Sequence, residues 1–167
     1  MYQETFMRRA IEISAGALDT PGTEPFGAVV VRDGKIVGEG LNRSILNNDP
    51  TSHGETEAIR EACRNLGTVN LRGCELYTSC EPCALCVAAM EIAGISRLYY
   101  AANLEQASVA IGDMPESVRF SIDSKRLQTE LAKPVEERSV PSQQALSEKA
   151  TEVLVTWANK VRPMPDG

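Results

Sequence analysis

Glu75-Leu76-Tyr77-Thr78-Ser79-Cys80-Glu81-Pro82-Cys83-Ala84-Leu85-Cys86 reads as a strand that turns directly into a helix. Glu75 to Ser79 is rich in strand-forming residues, and Pro82 suits a first helical turn, where its missing N–H has no partner to lose. The helix is expected to run to about Ala93, with Gly94 as its stop, and Ser96 to Ala101 then reads as a further strand. Upstream, Pro50-Thr51-Ser52 is a helix-start cluster for a helix over His53 to Leu66, with Ala58, Ile59 and Ala62 on its buried face and Gly67 ending it. Further back, Phe26 to Val31 reads as a strand, Asp33-Gly34 as a tight hairpin turn, and Lys35 to Gly40 as the antiparallel partner. Residues Tyr2 to Leu18 place Phe6, Ala10, Ile13 and Ala17 at helical spacing before Asp19-Thr20-Pro21-Gly22 breaks the pattern. Short strand and helix units in alternation predict an α/β domain, a sheet flanked by helices.

The signal weakens after Leu104. Ala107 to Ile111 reads as a short helix, and 115–132 as an irregular or helical insertion. Lys133 to Pro141 has room for a short edge strand, and 142–160 is an amphipathic helix with Leu146, Ala150, Leu154 and Trp157 on one side. No repeat or linker interrupts the chain, and 167 residues with 43% hydrophobic content predict a single domain, 1–167, with an ordinary core.

Charge and cysteine usage narrow the function. The net charge of −6 and the absence of a basic tail or stripe argue against a nucleic-acid partner, because phosphate neutralisation supplies most of such affinity. A small molecule is the better candidate. No apolar run reaches the length of a membrane span, and the N-terminus lacks a secretory stretch, so a cytoplasmic chain is expected. Five cysteines, three of them between Cys80 and Cys86, suit metal ligation in a reducing compartment better than a disulfide framework. Cys63 and Cys74 lie on apolar stretches and read as inert core thiols.

The only histidine, His53, opens one helix, and Cys83 and Cys86 open another. One imidazole and two thiolates supply three ligands to tetrahedral zinc and leave the fourth position to water, which distinguishes catalytic from structural sites. Cysteines three apart share a helix side, and helix N-termini favour thiolate. A closed structural site would recruit Cys80 as fourth ligand, but its place on the strand side of Pro82 should turn it away from the pair. Glu55, two residues after His53, is placed to carry protons to and from the water; a first-turn acid complementing the helix dipole is the plainer reading.

His53-Gly54-Glu55 with Glu81-Pro82-Cys83-Ala84-Leu85-Cys86 matches the His-x-Glu and Pro-Cys-x-x-Cys pairing of zinc-dependent base deaminases. Together with Pro25-Phe26-Gly27-Ala28-Val29-Val30, Asn42, and Asn48-Asp49-Pro50-Thr51-Ser52, these residues resemble the cytidine deaminase superfamily, and within it bacterial guanine deaminases. Lys133-Pro134-Val135-Glu136-Glu137-Arg138 and Trp157-Ala158-Asn159-Lys160 extend the latter resemblance.

The resemblance implies a three-layer α-β-α fold with a mixed sheet of about five strands, a Zn2+ cofactor on His53, Cys83 and Cys86, and Glu55 as general acid and base in hydrolytic deamination. It implies that Asn42 hydrogen-bonds the substrate; the lesser alternative is that it caps the strand-to-loop turn. The backbone of Gly54 would contact the base and the carbonyl of Glu81 the leaving amine; Phe26 would stack on the ring or serve the core. Asp113 would be a further partner of the amine. Guanine is the first substrate expected. Gly54 stands where guanine and tRNA adenosine deaminases carry Ala and fungal cytosine deaminase carries Gly, so cytosine, a nucleoside or an aminotriazine is the alternative. A tRNA-editing enzyme or a noncatalytic zinc-binding module is a weaker one. A homodimer with exchanged C-terminal segments is also implied.

Overall fold

The computed structural model describes residues 1–162 and divides the chain into two compact units, Met1–Leu127 and Gln128–Gly167. In the first unit, α1 (Glu4–Ala15) is followed by a short 3-10 turn, Gly16–Leu18, and then by β1 (Glu24–Arg32) and β2 (Lys35–Asn42). Next come α2 (Gly54–Leu66), β3 (Glu75–Cys80), α3 (Ala84–Ala93), β4 (Arg97–Ala102) and α4 (Leu104–Ile111), and α5 (Ser124–Leu131) begins in this unit. The second unit holds a 3-10 turn, Val135–Glu137, and α6 (Ser147–Val161).

The sheet order is β2-β1-β3-β4, with β1 antiparallel to both neighbours and β3 parallel to β4. Side chains alternate across a strand, so β1 feeds two cores at once. Ala28 and Val30 pack with Ala58, Ile59 and Ala62 of α2 and Met90 and Ala93 of α3. Val29 and Val31 pack on the opposite face with Phe6, Met7 and Ala10 of α1 and with Tyr77. Burial on both faces explains why β1 reads as a continuous apolar run. The result is the expected α-β-α layering around a mixed sheet, with four strands among the described residues and not five.

The hairpin forms as expected: Asp33 and Gly34 both take positive φ, 52° and 73°, the requirement of a type I′ turn. Gly67 and Gly94 end α2 and α3 in the left-handed conformation that glycine adopts without strain. Pro82 lies two positions before the first helical residue, because Cys83 is the N-cap of α3 and Ala84 opens it. The expected edge strand over Lys133 to Pro141 is instead a 3-10 turn closed locally. Pro134 and Pro141 lack the N–H a strand needs, and the backbone N–H of Ser139 donates to Glu130 Oε2 at 2.6 Å. The tail helix begins at Ser147, five residues later than the amphipathic pattern at 142. Among the described residues no helix is long and apolar enough to cross a membrane.

Candidate active site

Two helix starts build the site. Ser52 to His53 leads into α2 with His53 as N-cap, and the His53 N–H donates to Thr56 Oγ1 at 3.0 Å. The start of α2 approaches β2 so closely that a Cβ on Gly40 would overlap the carbonyl oxygen of Gly54. A Cβ on Gly54 would in turn overlap the carbonyl oxygen of Phe26. A side chain at position 54 would therefore require the β1 backbone to shift. Cys83 caps α3 and Cys86 lies one turn further along, fully buried.

These elements bring three ligand atoms together. His53 Nδ1 lies 3.6 Å from Cys83 Sγ and 3.5 Å from Cys86 Sγ, and the two sulfurs are 3.7 Å apart. Tetrahedral zinc, bonded at about 2.3 Å to sulfur and about 2.0–2.1 Å to nitrogen, holds sulfurs about 3.8 Å apart and sulfur and nitrogen about 3.6 Å apart. The triangle fits zinc without rearrangement. Cys80 does not belong to the group; it ends β3, buried, and burial pushes its thiol up to about 11.

The charges favour a cation. Hydrogen bonding from Cys86 holds Cys83 down at about 4, while that same contact, with burial and Glu55, pushes Cys86 up. One proton is thus shared across the pair, and a dication between the sulfurs would displace it. Glu55 is 5% exposed, with Oε2 3.4 Å from Cys86 Sγ. Burial raises its pKa above the usual carboxylate range, which suits a group that must take up and release a proton near neutral pH.

A cavity of about 290 Å³ opens onto these residues. Phe26, Asn42, His53, Glu55, Glu81 and Cys83 of the expected set line it. Asn42 is buried, and its Oδ1 accepts from Ser44 N at 3.0 Å and from Ser44 Oγ at 2.9 Å. It therefore caps the loop with its oxygen and keeps its amide nitrogen for a ligand. Asp113 is not brought to the cavity: α4 ends at Ile111, and the turn that follows leaves Asp113 exposed.

Two charged lining residues, Glu24 and Arg119, escape sequence reasoning. Glu24, at the start of β1, is 4% exposed, and its Oε2 pairs with Arg119 Nε at 3.3 Å. Arg119 comes from the insertion and its guanidinium carbon sits 5.7 Å from the Phe26 ring centroid. The insertion is fastened where Ser124 Oγ accepts the Ala84 N–H at 2.9 Å, capping the helix that Cys83 opens. A carboxyl just before an apolar strand was the available signal for Glu24; Arg119 lies in a segment with no periodicity to read.

The comparisons with known proteins agree with this geometry. Residues 1–102 match the cytidine and deoxycytidylate deaminase zinc-binding region. Guanine deaminase of Bacillus subtilis is 38% identical over 95% of this chain and 96% of its own length. The X-ray structure of guanine deaminase from that organism superposes with a TM-score of 0.82 at 36% identity, covering 98% of both chains. A tRNA-specific adenosine deaminase of Agrobacterium fabrum is 47% identical, but over 58% of this chain and 60% of its own. The His53, Cys83 and Cys86 triangle, the layered sheet and these matches place the chain in the cytidine and deoxycytidylate deaminase zinc-binding family. It is a zinc-dependent hydrolytic deaminase.

Proposed function

We propose that this deaminase acts on guanine as the free base, with His53, Cys83 and Cys86 holding zinc and Glu55 carrying the proton. One observation supports guanine above the alternatives: similarity to the Bacillus subtilis guanine deaminase runs through 95% of the chain, whereas similarity to the tRNA enzyme stops at 58%. The net charge of −6 also disfavours an RNA substrate.

Bound to the three ligands, zinc supplies a Lewis acid that lets water lose a proton near neutral pH. Glu55, buried and with a raised pKa, takes that proton and delivers it to the ring nitrogen beside the amino-bearing carbon. It then takes the proton of the hydroxyl group added to that carbon and passes it to the departing amine, so that guanine and water give xanthine and ammonia. The Asn42 amide nitrogen donates to a ring acceptor, and Phe26 flanks the ring. Buried walls exclude bulk water from competing for these contacts.

The chain is further assigned to the cytoplasm, where its five free thiols stay reduced. We also assign it as a homodimer that exchanges C-terminal segments. Val153, Leu154, Val155 and Trp157 of α6 are all more than half exposed, an apolar surface that suits a second copy.

Ammonia release by the zinc-loaded chain separates the substrate readings. Guanine is expected to turn over at least about 100-fold faster in kcat/KM than cytosine, adenine, guanosine or an aminotriazine, the discrimination a hydrogen-bonding site supplies. Preferential turnover of any other member of that set overturns the assignment.

A further inference from the structure

Glu24 and Asn42 are cross-strand partners at the end of the β1–β2 ladder, and both line the cavity. Opposed residues on antiparallel strands have their Cβ atoms about 5 Å apart, so one ring edge can meet both side chains. The two offer complementary groups. Asn42 has spent its oxygen on Ser44 and retains a donor. Glu24 has spent Oε2 on Arg119, and among the described residues its buried Oε1 has no hydrogen-bond partner, although the Phe120 backbone N–H also acts on the carboxyl.

An unpaired buried carboxylate oxygen is unusual, since burial removes its water without a replacement. Here the protein leaves such an acceptor next to a donor, in the wall of the site. The complementary ligand edge carries a ring nitrogen acceptor beside an N–H. A free guanine base has such an edge on its five-membered ring, where an unprotonated nitrogen and an N–H flank the same carbon. A nucleoside, or a base methylated at that position, does not.

We propose that Glu24 is a specificity-determining residue. Its Oε1 accepts the N–H of the five-membered ring while Asn42 donates to the other nitrogen of that ring, which selects free purine bases over their nine-substituted forms and leaves the nitrogen beside the amino-bearing carbon to Glu55. Arg119 positions this carboxyl. Its pairing with Oε2 fixes the orientation of Oε1, and it ties the insertion to the site through a contact that the core fold alone does not supply. The contact rests on the guanine reading above and refines it.

The test compares guanine with 9-methylguanine in the wild-type chain and in Glu24→Ala, both zinc-loaded, reading kcat/KM for each. The wild type is expected to favour guanine by on the order of 10- to 100-fold, the range of one hydrogen bond to a charged group. In Glu24→Ala, guanine is expected to lose about that factor and 9-methylguanine much less, so the preference shrinks toward unity. Equal losses for both substrates, or none, overturn the contact while leaving the guanine reading intact. No guanine turnover by the wild type overturns both. Should Glu24→Ala fail to fold, the wild-type ratio decides: turnover of 9-methylguanine within about threefold of guanine sinks the proposal, since a lost charged hydrogen bond costs more than that.

Discussion

Replacing Glu55 with Gln is expected to lower kcat by about 100- to 10,000-fold, the usual contribution of a positioned acid–base group, while zinc stays bound. The reasoning separates shape from proton chemistry. Glu55 is buried and Oε2 contacts Cys86 Sγ at 3.4 Å; a glutamine fills the same volume and offers an oxygen to the same neighbour. The fold and the ligand triangle should therefore survive. What the amide cannot do is take up a proton, whereas burial raises the proton affinity of the Glu55 carboxylate. Steady-state ammonia release beside metal analysis checks this. A variant that keeps zinc and retains kcat within about threefold would remove Glu55 from the role of proton carrier, because acid–base catalysis contributes far more.

The second large effect lies at the metal. Cys86→Ala is expected to leave only a small fraction of one zinc per chain and to abolish turnover. Cys86 is fully buried, so no water-exposed neighbour can swing in to replace its sulfur. Loss of a ligand should exceed the roughly 10- to 100-fold cost of losing a hydrogen-bond partner of a ligand. The midpoint of thermal unfolding should fall as well, because binding that favours the native state no longer contributes. Cys80→Ala is the matched control, expected to keep its zinc, since Cys80 lies outside the ligand group. Zinc retained in Cys86→Ala, or lost in Cys80→Ala, would reverse the assignment.

Most of the scaffold could be read from local pattern. The hairpin at Asp33-Gly34 and the stops at Gly67 and Gly94 were legible because each is fixed by residues adjacent in the chain. The metal ligands were legible because each sits at a helix start whose signals are local. Glu24 was not, since its importance comes from Asn42 across the sheet and from Arg119 in a segment without periodicity. The edge strand expected over Lys133 to Pro141 failed for a related reason: the Glu130 side chain claims the Ser139 backbone, a competition that strand propensity does not register. Asp113 was expected at the site by resemblance, as a partner of the leaving amine, and the end of α4 puts it in the open. Gly54, read as a clue to substrate, also lets the Phe26 carbonyl approach closely, a contact invisible in the local sequence.

The proposed chemistry depends on an open zinc site made by one histidine and two cysteines. X-ray absorption at the zinc edge of the loaded chain tests that site directly. Two sulfur neighbours at about 2.3 Å and two lighter ones near 2.0–2.1 Å are expected, one of the lighter ones lost when the fourth position is filled by a thiol inhibitor. Three sulfurs and one light atom in the resting protein would mean that Cys80 closes the site, and a structural zinc would replace the catalytic one.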